Sequence, residues 1–176
     1  MSGHAAVRNH ARRVGVKSSE ILLDKSYHYA AMKKLENSAK RGRPDIVHFA
    51  LMEALSTPLF LSNKMRVYVH TVNDRIIAIA DNLRIPKSYF RFEGLMVNLF
   101  RDRRVKSDDG TVLMELADGT FIDLLKSTNA EKIVGLSTTG VKSTAEKVAG
   151  NCRGVENCVF VVGGFPRGHF AESTTR

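Results

Sequence analysis

The sequence predicts an α/β domain with a largely parallel sheet that is flanked by helices. Three observations support this fold class. The second half of the chain alternates short apolar strands with helical segments, which is the pattern of a parallel sheet. Cys158–Val162 is a continuous apolar run, as in central strands that are buried on both faces. Hydrophobic residues make up 43% of the 176 residues, which is enough to bury one core.

Taken in order, the chain divides into an N-terminal arm and a single domain. Residues 1–19 are basic and lack a clear period, so we interpret them as an arm that is either disordered or a remnant of cloning. The domain covers residues 20–176 and carries a small β-hairpin extension at residues 66–80. Its other predicted elements are helices at 27–40, 44–57, 89–100, 121–127 and 144–152, and strands at 112–116, 133–137 and 158–162.

The charge of the chain indicates an anionic partner. The formal net charge is +9, and residues 84–106 hold seven lysines and arginines against two acids. Nucleic acid is the usual partner of such a surface. No apolar run approaches the roughly 20 residues of a membrane span. The chain shows no secretory signal, the two cysteines do not form a CxxC pair, and no histidines stand at metal-ligand spacing. We therefore expect a cytoplasmic protein without a catalytic metal.

The most informative stretch runs from a basic loop into a buried helix. Pro44 suits the first helical position, and Asp45 lies in the first turn, where the helix dipole favours a negative charge. Arg43 precedes them. A carboxylate held beside a guanidinium group can accept a proton or orient a base, but the same pair is also compatible with a charge pair that only stabilises the helix end.

A second candidate site is the basic stripe at the start of the helix at 89–100. Arg84, Lys87 and Arg91 are spaced three and four residues apart, and a helix N-terminus with basic side chains is suited to binding phosphate. A solvated face is the alternative interpretation of this stripe.

Glycine-containing loops follow the last two predicted strands. Gly163 and Gly164 come directly after a buried strand, where open α/β sheets bind ligands; a simple turn is equally compatible. The segment Gly135–Ser143 nearly matches a P-loop, but Val141 separates the second glycine from the lysine and moves the lysine away from the phosphates, so we do not expect an NTPase.

Five motifs agree in order and spacing with one protein family. They are Tyr27-His28-Tyr29 with Ala31–Leu35, then Arg41–His48, Tyr68–Thr71, Arg84–Met96 and Gly163–Gly168. From about residue 20 to about residue 170, the chain resembles the archaeal and eukaryotic ribosome-biogenesis methyltransferases that modify a pseudouridine in small-subunit ribosomal RNA. The short chain favours the archaeal branch.

The resemblance implies a fold, a cofactor and partners. The fold is of the SPOUT class, a parallel α/β sheet with a C-terminal trefoil knot, and the enzyme acts as a homodimer on small-subunit rRNA, alongside other assembly factors or ribosomal proteins. Its location is the cytoplasm, or the nucleolus in a eukaryote. The methyl donor is S-adenosylmethionine. Carried over by position, the cofactor-binding residues are Leu136, Thr138, Gly140, Gly163, Gly164, Phe165 and Gly168.

The resemblance also implies roles for the two basic sites. Arg43 and Asp45 lie at the target base, with Asp45 accepting or orienting the N1 proton as that nitrogen attacks the methyl group. Arg84, Lys87 and Arg91 hold the RNA, although the family usually has arginine at the position of Lys87.

The chain departs from the family pattern at both ends. We expect the family's first strand and its last loop and C-terminal helix to be missing. An rRNA-binding assembly factor without catalytic activity is therefore the alternative function.

Overall fold

The structure is a computed structural model that describes residues 2–81 and 83–175. Its helices are α1 (Ala5–Val14), α2 (Lys25–Met32), α3 (Pro44–Leu55), α4 (Pro58–Leu61), α5 (Tyr89–Asp102), α6 (Phe121–Ser127), α7 (Ala145–Asn151) and α8 (Glu172–Thr175), with a 3₁₀ helix at Ser38–Lys40. Its strands are β1 (Tyr68–His70), β2 (Arg75–Ile79), β3 (Arg104–Lys106), β4 (Val112–Asp118), β5 (Lys132–Leu136) and β6 (Cys158–Val162).

Local sequence signals explain where several helices begin and end. Helix α3 begins at Pro44, whose missing N–H would have no partner in the first turn. Helix α6 begins with a capping box, in which the Thr120 side chain accepts from the Asp123 N–H and the Asp123 carboxylate accepts from the Thr120 N–H. Helix α1 ends at Gly15, which takes the left-handed conformation at φ +74°.

The strands form two separate sheets. The larger sheet has four strands in the order β1-β2-β4-β3, and all of its neighbouring strands are antiparallel. The smaller sheet pairs β5 with β6 in parallel, with Leu136 opposite Val162 at the last position of each strand. Helix α7 lies between these two strands in the chain, as expected for a β-α-β unit.

The predicted α/β class is confirmed, but the expectation of a largely parallel sheet is wrong, because β5 and β6 are the one parallel pair among the described strands. The β-α-β alternation of the second half holds only for β5 and β6. In the first half, a short turn joins β1 to β2, and such connections produce antiparallel pairs. The hairpin is also not an extension, because β2 pairs along its full length with β4 in the interior of the larger sheet.

The main core lies between the larger sheet and helices α3 and α5. It is apolar and tightly buried; its members include Leu51, Leu55, Phe60, Ile77, Phe92, Met96, Leu99, Met114 and Leu116. Both helices are therefore fixed against the sheet, and so are the polar residues at their N-termini.

Two predictions near the N-terminus are also wrong. Residues 5–14 form helix α1 instead of a disordered arm, and α1 buries Val7 and Ala11 against α2. The predicted helix at 27–40 stops at Met32 and is followed by a turn and the 3₁₀ helix. In the described ranges, no helix has the length and apolar character to span a membrane.

Candidate active site

The N-terminus of α3 carries a bidentate ion pair. The Arg43 Nε donates to both carboxylate oxygens of Asp45 at 2.8 and 3.1 Å, and Arg43 Nη2 donates to Asp45 Oδ2 at 2.7 Å. Both side chains are accessible, at 41% and 45% exposure. The two predicted catalytic residues therefore form one ion pair, and this pair is partly exposed to solvent.

This pairing sets the charge of both groups. Hydrogen bonds from Arg43 lower the pKa of Asp45, and they outweigh the opposing effect of partial burial. The same contact raises the pKa of Arg43. Asp45 is thus a carboxylate at neutral pH and is available as a hydrogen-bond acceptor.

A buried polar network supports this helix terminus, and no motif in the sequence indicates it. Asp24 is 4% exposed and caps α2 by accepting from the Ser26 N–H at 2.7 Å. Its other oxygen accepts from the Tyr89 hydroxyl at 2.6 Å, which ties α2 to the first residue of α5. His48 of α3 stacks on Phe92 with ring centroids 4.5 Å apart.

Three further hydrogen bonds extend the connections on either side of this network. His48 Nε2 donates to the Pro86 carbonyl at 2.7 Å and so fixes the loop before α5 against α3. His28, on the opposite side, accepts from the Asp24 N–H through Nδ1, and its Nε2 lies 3.0 Å from His10 Nδ1 of α1. Asp24 and Tyr89 are 65 positions apart, so no local signal in the sequence could reveal their contact.

Of the aromatic cluster that is part of the first family motif, only the middle residue is buried. His28 is fully buried, whereas Tyr27 and Tyr29 are 48% and 61% exposed. Tyr27 stacks on His10 at 4.2 Å between ring centroids. The histidine is therefore a structural member of the α1–α2 contact.

The predicted RNA-binding stripe lies on the surface beside this network. Arg84, Lys87 and Arg91 are all exposed, and none of them forms an ion pair with an acid in the part of the chain that the structure describes. Phe90, between them in sequence, is 72% exposed. Because the Tyr89 hydroxyl is hydrogen-bonded to Asp24, the stripe is fixed close to the N-terminus of α2.

The two predicted cofactor loops begin side by side at one end of the smaller sheet. They follow directly after Leu136 and Val162, which are paired at the ends of β5 and β6. Leu136, Thr138 and Gly140 are exposed along the first loop. The first loop turns through a bond from the Gly140 N–H to the Ser137 carbonyl at 3.3 Å.

The second loop faces the N-terminal half of α3. A Cβ atom on Gly164 would lie 3.7 Å from Val47, two residues after Asp45, and one on Gly168 would lie 3.3 Å from Lys40. The Lys40 ammonium is 5.1 Å from the centre of the Phe165 ring. The predicted second cofactor loop and the predicted catalytic helix thus lie next to each other.

A large open cleft of about 2040 Å³ adjoins both elements. Its lining residues include Arg43 and Val47, and also Gly163, Gly164 and Phe165. The predicted site residues Asp45, Leu136, Thr138, Gly140 and Gly168 are not among the lining residues. The described residues contain no group of three or more histidine, cysteine or acidic side chains placed to hold a metal ion.

Comparison with solved structures identifies the class of protein. The chain matches the crystal structure of Archaeoglobus fulgidus Nep1 bound to S-adenosylhomocysteine with a TM-score of 0.83 and 38% sequence identity, over 99% of this chain and 75% of that one. The fold is therefore that of a methyltransferase of the SPOUT class.

Sequence comparisons are consistent with this class. The chain is 42% identical over 170 residues to the ribosomal RNA small subunit methyltransferase Nep1 of Staphylothermus marinus, covering 96% of this chain and 73% of that protein. It is 41% identical to the Archaeoglobus fulgidus enzyme of the same name, covering 99% and 74%. The EMG1/NEP1 methyltransferase family model matches residues 4–176, and the chain belongs to that family.

The family match includes most of the segment that we interpreted as an arm. It begins at residue 4, one position before helix α1. Helix α1 is therefore part of the family domain, in agreement with its packing against α2.

Proposed function

We propose that this chain transfers a methyl group from S-adenosylmethionine to N1 of a pseudouridine in small-subunit ribosomal RNA. The observation that carries the proposal is that Arg43 and the Gly163–Phe165 loop line the same cleft. This arrangement gives a target base and a methyl donor access to the same space. The membership of a methyltransferase family and the small-subunit rRNA named for its relatives support the substrate class.

The second loop has the properties that S-adenosylmethionine requires. Gly163 and Gly164 leave the backbone open to a ligand, and a Cβ on Gly163 would lie only 2.9 Å from the Phe165 ring. Val162, at the end of β6, is 65% exposed and offers apolar surface to an adenine ring. When it is bound, the cofactor supplies an electrophilic methyl group on a positively charged sulfur. We propose that Leu136, Thr138, Gly140 and Gly168 complete its site.

Arg43 and Asp45 account for the handling of the proton. Pseudouridine exposes a ring N1–H where uridine has its glycosidic bond, and this nitrogen must lose its proton when it is methylated. Asp45 would accept a hydrogen bond from N1–H and then the proton itself, as formation of the N1–C bond makes that proton acidic. Arg43 keeps the carboxylate charged and oriented. Alignment of the nitrogen with the methyl group supplies much of the acceleration.

The exposed stripe of Arg84, Lys87 and Arg91 would hold the RNA backbone while the target base leaves its stack. Arg84→Ala and Arg91→Ala should each lower the slope of log affinity against log salt by about 0.7, the value for one phosphate contact on a single strand. An unchanged slope in both variants would exclude the stripe from the interface.

We also propose that the active form is a homodimer with a C-terminal trefoil knot. Ile133, Leu136 and Phe160 of the smaller sheet are each 50% exposed, and this apolar surface supports further packing against the sheet. Sedimentation analysis at micromolar concentration tests the dimer: a monomer at all concentrations would contradict it.

The decisive experiment replaces the proton acceptor and leaves the RNA surface intact. Asp45→Asn should reduce methyl transfer to an rRNA fragment by about 10² to 10⁴-fold, the usual contribution of a general base. Its affinities for S-adenosylmethionine and RNA should change little. Asp102→Asn is the matched control, because Asp102 forms a similarly exposed ion pair with Arg101 at 2.8 Å. Full activity of Asp45→Asn would exclude Asp45 as the acceptor.

The substrate nucleotide and the alternative function are tested together. The same RNA carrying uridine in place of pseudouridine should not be methylated, and nucleoside analysis of the product should show N1-methylpseudouridine. A chain that binds the RNA and S-adenosylmethionine but forms no methylated product would favour the assembly-factor function.

A further inference from the structure

Helices α1 and α2 form a strongly basic surface outside the stripe described above. Residues 2–40 contain eight lysines and arginines against three acids, although they make up less than a quarter of the chain. One of the three acids, Asp24, is 4% exposed and is held by its bonds inside the network. The net charge of this segment therefore faces solvent.

The arginines of α1 have no acidic partners in the part of the chain that the structure describes. Arg8, Arg12 and Arg13 are exposed, and within residues 2–81 and 83–175 none of them forms an ion pair. Arg13 lies over the exposed ring of Tyr27, with its guanidinium carbon 5.4 Å from the ring centre. Arginines elsewhere differ, since Arg75, Arg103 and Arg104 are all paired with acids of β4.

Helix α1 is held in a fixed position relative to the stripe. Its buried face contains Val7, His10 and Ala11. Three hydrogen bonds then lead from His10 through His28 and Asp24 to Tyr89. Arg13 follows His10, at one end of this series of bonds, by three residues. Arg91 follows Tyr89, at the other end, by two residues. The two groups of cations therefore belong to one rigid unit.

We infer that the α1 surface, meaning Arg8, Arg12 and Arg13 with the adjacent Tyr27, is a second contact for the RNA substrate. It binds the phosphate backbone of a segment next to the one that Arg84, Lys87 and Arg91 hold. Unpaired guanidinium groups fixed on a rigid helix suit phosphate oxygens because they form paired hydrogen bonds without first breaking an ion pair. This inference rests on the proposed function, since it assumes that the chain acts on RNA.

The expected effect follows from counterion release. Three phosphate contacts at about 0.7 each contribute about 2 to the slope of log affinity against log salt. The triple variant Arg8→Gln, Arg12→Gln, Arg13→Gln should lose this contribution. When salt is raised from 50 to 200 mM, the unmodified chain should lose roughly 20-fold more RNA affinity than the variant does.

The experiment measures binding of a fluorescent small-subunit rRNA fragment across that salt range. The triple variant Arg75→Gln, Arg103→Gln, Arg104→Gln is the matched control, because it removes the same charge from arginines that are paired with acids. Circular dichroism establishes that both variants are folded. The inference predicts a lower slope for the α1 variant and a nearly unchanged slope for the control.

Methyl transfer separates this inference from the proposed function. The α1 variant should show a raised KM for RNA with kcat within about twofold, because α1 contains none of the residues proposed to bind the cofactor or to accept the proton. Equal slopes for the α1 variant and the unmodified chain would overturn the inference and leave the proposed function intact. Equal loss in both triple variants would also overturn it, since net charge alone would then explain the effect. An unmodified chain that binds no RNA would refute the proposed function itself.

Discussion

The hydrogen bond between Tyr89 and Asp24 is the strongest single test of how the site is held together. Tyr89→Phe removes the hydroxyl that donates to Asp24 at 2.6 Å. It keeps the ring, which lies 5.9 Å from the His48 ring and 6.5 Å from the Phe92 ring. The variant therefore isolates one hydrogen bond to a carboxylate that is 4% exposed.

The expected loss can be worked out from this geometry. A hydrogen bond to a charged group contributes about 1.5 to 3 kcal/mol to the free energy of unfolding. For a chain of this size, each kcal/mol corresponds to roughly 2 to 4 °C in Tm, so Tyr89→Phe should lower Tm by about 3 to 12 °C. Tyr29→Phe is the matched control, since Tyr29 is 61% exposed and should change the free energy by less than about 0.5 kcal/mol.

Urea unfolding of a double-mutant cycle measures the contact itself. Asp24→Ala should cost the helix cap, about 1 kcal/mol, and should also leave the Tyr89 hydroxyl without its partner. The cycle of Tyr89→Phe and Asp24→Ala should give a coupling energy of about 1.5 to 3 kcal/mol. A coupling energy near zero would refute the argument that this bond joins α2 to α5.

The pH dependence gives an independent check on Tyr89. Burial, followed by the bond to Asp24, raises the pKa of Tyr89 above its ordinary value of 10.0. As the pH rises above 10, the unfolded chain loses this proton and the folded chain keeps it, so stability should fall with increasing pH. Tyr89→Phe should lack this part of the slope, while the titration of lysines is common to both proteins.

Three other residues or pairs give measurable outcomes. Burial lowers the pKa values of His10 and His28 below 6.5. The free energy of unfolding should therefore be highest above pH 6.5 with respect to these two groups, and it should fall at lower pH because the unfolded chain takes up protons there. The urea midpoint measures this fall. Gly163→Ala places a Cβ 2.9 Å from the Phe165 ring and should weaken S-adenosylmethionine binding by roughly 5 to 150-fold in calorimetry, from about 1 to 3 kcal/mol of overpacking. Burial raises the pKa of Cys158 to about 11, so its alkylation at pH 8 should be about 100-fold slower than in the unfolded chain.

Each of these outcomes has its own control. Gly150→Ala meets no atom within 4 Å and should bind the cofactor normally. A urea midpoint that stays constant from pH 7.5 to 5.5 would contradict a neutral His10–His28 pair. Alkylation of Cys158 at the rate of the unfolded chain would show that the thiol is not protected.

The sequence predicts those elements whose signals are local. The predicted bounds of β6, Cys158–Val162, equal the observed ones. The same holds for helix α6, Phe121–Ser127, which begins with a capping box. Pro44 fixes the start of α3 in the same way. In each case the deciding contacts lie within a few residues.

The features that the sequence could not predict depend on distant contacts. Strands β2 and β4 are separated by helix α5, and nothing within either strand specifies an antiparallel pairing. Helix α1 buries only three residues, and one of them is His10, so its apolar stripe is too weak to distinguish it from a basic arm. His10 contacts His28 and Tyr27 of another helix, and contacts of this kind leave no signal in the local sequence.

The Arg43–Asp45 pair also restricts the order of steps in the proposed reaction. Because hydrogen bonds from Arg43 hold the pKa of Asp45 below its usual value of 3.8, this carboxylate is too weak a base to remove a proton from a resting N–H group. Formation of the bond to carbon must therefore precede or accompany proton transfer. This order suits a ring nitrogen beside a carbonyl group, such as N1 of pseudouridine, whose N–H becomes strongly acidic as the methyl group arrives.

The pH profile of single-turnover methyl transfer tests this order directly. Because the pKa of Asp45 is lowered below its usual value, the carboxylate stays ionised throughout the neutral range, so between pH 6.5 and 8.5 the rate should show no acid limb. A histidine acting as the base would instead produce an acid limb near its own pKa within or just below that range. If the rate falls tenfold from pH 7.5 to 6.5, a group with a near-neutral pKa accepts the proton, and Asp45 serves only to orient the base.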